Sequence, residues 1–141
     1  MRHFEGIETV DPTALEKQRI LTHALWHELV DQGVGPGTEG KIECFLYGTT
    51  KLAALAMADH YRRLRTWGAV VDESPDSRRT ELRITTPCVR YSLEAFLELT
   101  DVMMIDARRF GLDFDGLHVD LAGTKRTSWL VRLLRTLLGH G

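Results

Sequence analysis

Between Lys41 and Leu121 the chain runs strand, helix, strand, strand, helix, strand, and each helix follows a hydroxyl residue and stops at a glycine. Few folds accept this order. A strand–helix–strand crossover is right-handed, so two such units joined by a tight turn bring four strands together with both helices on one face.

The individual segments follow from periodicity. Residues 41–47 place Ile42, Cys44 and Leu46 on one side and Glu43, Phe45 and Tyr47 on the other, as a half-buried strand does. Thr49 or Thr50 caps a predicted helix of about 17 residues ending at Gly68. Its inward stripe is Ala53, Ala56, Met57, Leu64 and Trp67. Ala69, Val70 and Val71 predict a short second strand, and Pro75-Asp76 with Ser77 a turn. Leu82, Ile84 and Thr86 alternate with Arg83 and Thr85 in a third strand, whose regular pairing should stop at Pro87. Ser92 caps the last long helix, with Leu93, Phe96, Leu97, Met103, Met104, Ala107 and Phe110 inward and Gly111 at its end. The fourth strand spans Leu112 to Leu121, with a bulge or kink at Asp115-Gly116.

Ahead of this unit, Asp11-Pro12 opens an amphipathic helix with Leu15, Leu21, Leu25, Trp26 and Leu29 on one side, and Gly33 ends it. The expected organisation is an N-terminal helix and glycine-rich linker (1–40), a ferredoxin-like βαββαβ sandwich with its first and third strands central (41–121), and a basic amphipathic tail helix (122–141). The sheet face away from the helices carries Phe45, Tyr47, Arg83, Thr85 and His118. This semi-polar surface is either open or covered by the N-terminal helix, the tail or a partner.

At 141 residues one core is the natural limit. The net charge of −2 is unevenly spread. Residues 122–141 hold four basic residues and no acid, against 14 basic and 20 acidic side chains before them. An acidic body with a basic end argues against a protein that binds nucleic acid over its whole surface. Two cysteines need no disulfide framework, the first ten residues lack an apolar signal core, and no stretch reaches membrane-spanning length; the expected location is cytoplasmic.

The residues with chemical potential have structural readings that outweigh functional ones. Gly35-Pro36-Gly37-Thr38-Glu39-Gly40 spells G-x-G-x-x-G, but follows a helix and precedes a strand, the reverse of a phosphate-cradling turn. His23, His27 and Asp31 recur at helical spacing on a polar side, where solvation is favoured over metal binding. His60 lies among Ala56, Met57 and Leu64 and reads as a packed imidazole, while Cys44 and Cys88 read as two buried thiols on neighbouring strands. No nucleophile–base pattern is present in the sequence, so a non-enzyme without cofactor or metal is expected.

The segment Glu28-Leu29-Val30-Asp31-Gln32-Gly33, the strand Ile42-Glu43, the alanine-rich helix before Gly68, and above all Met103-Met104, Ala107-x-x-Phe110 and Phe114-Asp115-Gly116 resemble the ribonuclease E inhibitor RraB family (regulator of ribonuclease activity B). The resemblance covers about two-thirds of the chain, from Leu25 to Leu121. It implies an α+β sandwich that binds an endoribonuclease and restrains RNA cleavage, with no catalytic residues. Known inhibitors of the family are acid-rich near the C-terminus, whereas this chain ends in a basic, apolar segment.

Contact residues are expected in three places. Val102 and Ile105 interrupt the charged side of the last helix; Asp115 and Gly116 mark the strand kink; Trp129, Arg132 and Arg135 belong to the tail, whose Leu130, Leu133, Leu134, Leu137 and Leu138 complete an apolar helical face. That face should pack on its own sheet or across a homodimer; a partner groove or an anionic membrane surface are the other candidates. The alternative function is a single-stranded RNA-binding module using Phe45, Tyr47 and Arg83 on the sheet face.

Overall fold

The computed structural model describes residues 3–73 and 79–120, and these form an α+β arrangement of three helices, a four-stranded antiparallel sheet and a small two-stranded ladder. A short 3-10 turn, Ile7–Thr9, precedes helix α1, Pro12–Asp31. Asp11 caps α1 by accepting a hydrogen bond from the Ala14 N–H at 3.1 Å, and Pro12 occupies the first turn, where its missing donor costs nothing.

The loop after α1 is tied down rather than free. The Gly37 N–H donates to Tyr91 O (3.0 Å), the Tyr91 N–H donates to Thr38 O (2.7 Å), and strand β1, Glu39–Gly40, pairs with β5, Val89–Arg90. Gly40 is required here, because a Cβ would overlap the Tyr91 ring and hydroxyl, and that hydroxyl donates to Lys41 O at 2.7 Å. The glycine-rich segment is thus a fastened connection that leads into a strand.

Strand β2, Glu43–Gly48, leads to helix α2, Lys51–Arg62, capped by Thr50. This helix is shorter than its composition predicts. It stops at Arg63, Arg65 takes a left-handed φ of 60°, and Gly68 starts strand β3, Gly68–Glu73, instead of ending the helix. The early exit returns the chain to the sheet in register with β4. The inward stripe also turns: Ala54, Met57, Ala58 and Tyr61 are buried, whereas Ala56 and Leu64 are exposed. Tyr61 is the inward anchor of the last turn, so the helix rotates to bury it.

Strand β4, Thr80–Thr85, precedes β5, and helix α3, Leu93–Phe110, runs from the Ser92 cap to Gly111 in the left-handed region (φ 77°). Strand β6, Asp113–His118, completes the sheet. The strand order is β3-β4-β2-β6, so the first and third of the four long strands are central. Phe45 pairs with Gly116 but Leu46 with Phe114, which leaves Asp115 as the extra residue of a bulge, with Gly116 at φ 128°. The predicted Asp115-Gly116 kink is therefore present.

One core cluster joins the helices to Cys44, Leu46, Leu82, Ile84, Phe114 and Leu117 on a single sheet face. Helix α1 extends this helical layer by packing on α3 and β6; it does not cross to the other face. The α1–α3 seam runs antiparallel. Trp26 meets Phe96 edge to face at 5.4 Å, the Thr22 and Thr100 hydroxyls lie 2.7 Å apart, and Arg19 grips Asp101 through Nε (2.9 Å) and Nη2 (2.7 Å). Asp101 is 2% exposed, although helical spacing alone puts it on the solvated side of α3.

Candidate functional site

Strand alternation puts Glu43, Phe45 and Tyr47 of β2 on the face away from the helices. Register sets Glu81 and Arg83 of β4 beside them, with Val70 and Asp72 beyond on β3 and Asp113 and His118 on β6. Cross-strand neighbours on one face lie roughly 5 Å apart, so these side chains form a continuous surface. No described helix packs on it. Val70 is 48% exposed, an unusual position for a β-branched residue at the middle of a strand.

The electrostatics of this face are mixed, with acid in excess. Arg83 Nε sits 3.6 Å from Glu43 Oε2, and the Arg79 guanidinium lies 4.2 Å above the Tyr47 ring. Phe45 meets His118 edge to face at 5.9 Å. Asp72, Glu81 and Asp113 lie in the same cross-strand row as Tyr47, and Glu43 lies beyond Phe45 on β2. Phe45, Tyr47 and Arg83 are thus brought together as the sequence predicts, but both the Tyr47 ring face and the Arg83 guanidinium are already engaged.

Of the contact residues expected on α3, Ile105 is buried and Val102 partly so. Ile105 is 6% exposed, enclosed with Val10 and Leu15 beneath the N-terminal turn, and Val102 packs against the main core. The reason is non-local: residues 4–10 fold back over the outer side of α3, which helical spacing alone reads as solvated. Gly116 is buried, whereas Asp115 lines a groove of about 300 Å3 between α1, α3 and β6, together with Lys17, Gln18, Met104 and Arg108. Gln18 Nε2 donates to Phe114 O at 3.1 Å, and its buried Oε1 has no partner among the described residues. Trp129, Arg132 and Arg135, with the rest of the predicted tail, the Pro75 turn and Leu121, lie outside the described residues.

Several reactive groups are structural. Cys44 is buried, and burial, with Glu43 nearby, pushes its thiol well above the ordinary value, so it stays protonated and is a poor nucleophile. Cys88 is exposed rather than buried, because Pro87 ends the strand pairing before it. His60 is exposed too, resting on Tyr61 (5.3 Å) and Phe110 (5.6 Å) instead of lying beneath them. His23, His27 and Asp31 are exposed, and no cluster of three metal-ligating side chains occurs among the described residues.

Tyr61, buried beneath α2, donates its hydroxyl to the Asp106 carboxylate, which also faces Arg109 at 3.6 Å. Burial first, and that hydrogen bond second, drive the phenol far above its ordinary value. These shifts predict alkaline lability. Cys44 and Tyr61 hold their protons more tightly folded than unfolded, so their contribution is complete below the unfolded values of 9.0 and 10.0. It is lost as pH rises beyond them, at about 1.4 kcal/mol per pH unit for each group. Urea midpoints should fall from about pH 9 upward and more steeply past about pH 10, and Cys44→Ala should flatten the first part of the decline. Equal midpoints at pH 8 and 11 would contradict the burial of both groups.

No helix among the described residues is long and apolar enough to cross a membrane. No protein-family model matches the chain, and no curated protein matches it.

Proposed function

We propose that this chain is a non-catalytic regulatory protein that acts through protein contact, restraining an endoribonuclease as RraB-like proteins do, with its β-sheet face as the contact surface. The strand order β3-β4-β2-β6 with two crossover helices supports reading the body as a ferredoxin-like sandwich of the RraB type. One observation carries the functional reading: a sheet face that no described helix covers carries Phe45, Tyr47 and the 48%-exposed Val70 together with the carboxylates of Glu43, Asp72, Glu81 and Asp113. Apolar groups beside charged ones suit protein partners. Acidic groups in particular suit the basic surface of an enzyme that handles RNA.

The experiment is cleavage of a single-stranded RNA by the purified ribonuclease E of the same cell, with and without the full chain. Cleavage should slow in proportion to the amount of chain added. Val70→Asp, a change at an exposed position, should weaken the effect about tenfold, because it desolvates a new charge in the contact. Unchanged cleavage at a large molar excess of the chain would refute the proposal.

The second reading, single-stranded RNA binding, is favoured by one feature: Phe45 pairs directly with Arg83 on the same face. Base stacking there would have to displace Arg79 from Tyr47, and phosphate would have to approach Glu43, Glu81 and Asp113. Direct titration with labelled RNA at low salt separates the two readings. Affinity that is lost on Tyr47→Ala would favour the RNA module over the protein-contact surface.

A further inference from the structure

We propose that β3 is a dimerisation edge: two copies of this chain pair their β3 strands antiparallel about a two-fold axis and join their four-stranded sheets into one of eight strands. This goes beyond the reading of the sheet face as a contact surface and does not depend on it.

The two edges of the sheet are built differently. Strand β6 carries the Asp115 bulge and packs against α1, whose Gln18 Nε2 donates to Phe114 O at 3.1 Å. Bulges and covering helices are common guards of a strand edge. Strand β3 has no bulge and no proline: its six residues pair with β4 without a register shift. No described strand pairs with its outer side, and Val70 in its middle is exposed. A regular, apolar edge of this kind invites a further strand.

Charge selects the occupant. Toward the end of β3, Asp72 stands directly opposite Glu81 of β4, and neither acid forms an ion pair among the described residues. Like charges so placed repel, and a cation brought from outside relieves them. Glu73 beside them faces Lys51 at 3.7 Å. Just before the start of β3, Arg62 is held by Asp59 (3.6 Å) and by Ala69 O (3.0 Å). Arg63 and Arg65 in the turn that follows are exposed and have no acid among the described residues. An edge that is basic at its start and acidic at its finish is complementary to itself when reversed, so a second copy is the partner it fits.

Face alternation narrows the register. Ala69 and Val71 pack on the core side, whereas Val70 and Asp72 lie on the open side. Directly opposed residues share a face, so the core sides align only when Val70 opposes Val70, or Val71 opposes Val71, of the second copy. With Val70 on the axis, Gly68 stands opposite Asp72 of the second copy, three residues from Arg65, and this is the register that charge favours. Both helical layers then lie on one side and both open faces on the other. Helix α2 lies over β3 and β4, so it and its copy stand two strand spacings apart, roughly 10 Å, which is helix-packing distance. The side of α2 away from α3 carries half-buried Leu55 and exposed Leu52 for that contact.

Sedimentation equilibrium of the full chain, from low micromolar to about 100 μM at low salt, provides the test. A dimer should form. Asp72→Lys should raise its dissociation constant about tenfold, as should Arg63→Glu with Arg65→Glu, because the two-fold axis counts each change twice. Mixing these two variants should restore dimers of close to the original affinity, since every repulsive contact becomes attractive in the mixed pair. As a second readout, Val70→Cys in a Cys88→Ser background should link two chains by a disulfide under mild oxidation. A chain that stays monomeric over this range would overturn the proposal. So would a dimer whose affinity ignores the charge variants, because it must use another surface. Neither readout contains ribonuclease, so a negative cleavage assay refutes only the proposed function, and a monomer refutes only this inference.

Discussion

Phe96→Ala should lower the unfolding free energy by about 4 kcal/mol, the largest effect expected of any single substitution here. Phe96 is 0% exposed and holds two aromatic neighbours edge to face, Trp26 at 5.4 Å on α1 and Tyr91 at 5.3 Å ahead of α3. Truncation removes the transfer energy of the ring, leaves a cavity that rigid neighbours close poorly, and forfeits two ring–ring interactions worth about 0.5–1.5 kcal/mol each. The damage should spread, because Tyr91 also donates to Lys41 O and so helps to hold the loop that enters β2. Phe96→Leu keeps much of the volume and should cost less than half as much. Chemical denaturation with matched slopes measures both; a Phe96→Ala effect under about 1 kcal/mol would mean that α1 does not pack on α3 as described.

Arg19→Ala should cost about 3 kcal/mol near neutral pH, chiefly because it leaves a buried charge without its partner. The Asp101 carboxylate is 2% exposed, and both its oxygens accept hydrogen bonds from the Arg19 guanidinium. That hydrogen-bonded pairing, with Asp101 and Glu16 nearby, raises the Arg19 pKa despite partial burial, so the arginine is cationic throughout the accessible range. Removing it strands a carboxylate among helices. The figure sits at the low end for broken buried pairs because Arg19 keeps 32% exposure and water reaches its side of the bridge. Replacing both partners, Arg19→Met with Asp101→Leu, should recover most of the stability, since no unpaired charge remains. Equal costs for the single and double variants would show that the bridge itself, not the stranded charge, sets the energy.

Both predictions concern the α1–α3 seam, the part of the molecule that local pattern describes least well. Asp101 and Ile105 look solvated on a helical wheel, since Glu98 and Arg109 lie on the same side. Their burial depends on Arg19 and on residues 4–10, which are distant in sequence and reach α3 only in the folded chain. One signal is present in the sequence: Arg19, Thr22 and Trp26 share a stripe on α1, and Phe96, Thr100 and Asp101 match it on α3. Recognising that match requires knowing that the two helices pack antiparallel. Helix α2 behaves in a related way. Tyr61 falls outside the predicted stripe, yet with the Asp106 carboxylate to accept a hydrogen bond from its hydroxyl it becomes the inward anchor.

The sheet face is more legible. Period-two alternation assigns Phe45, Tyr47 and Arg83 to one side, and register places them together. Alternation could not reveal that Arg79 lies on Tyr47 or that Arg83 faces Glu43, because such pairings cross strands.

By itself, then, the sequence determined the order of the long strands and helices, the caps at Asp11, at Ser92 and at one of Thr49 and Thr50, the stop at Gly111 and the kink at Asp115-Gly116, but not the short β1–β5 ladder. These depend on local geometry: hydroxyl and carboxylate caps, side-chain period and the φ that glycine allows. Tertiary structure alone decided where α2 ends, which charges are buried, and that α1 joins the helical layer while the second sheet face receives no described helix. Those outcomes depend on which surfaces compete for burial, and that competition is settled only when segments remote in the chain come together.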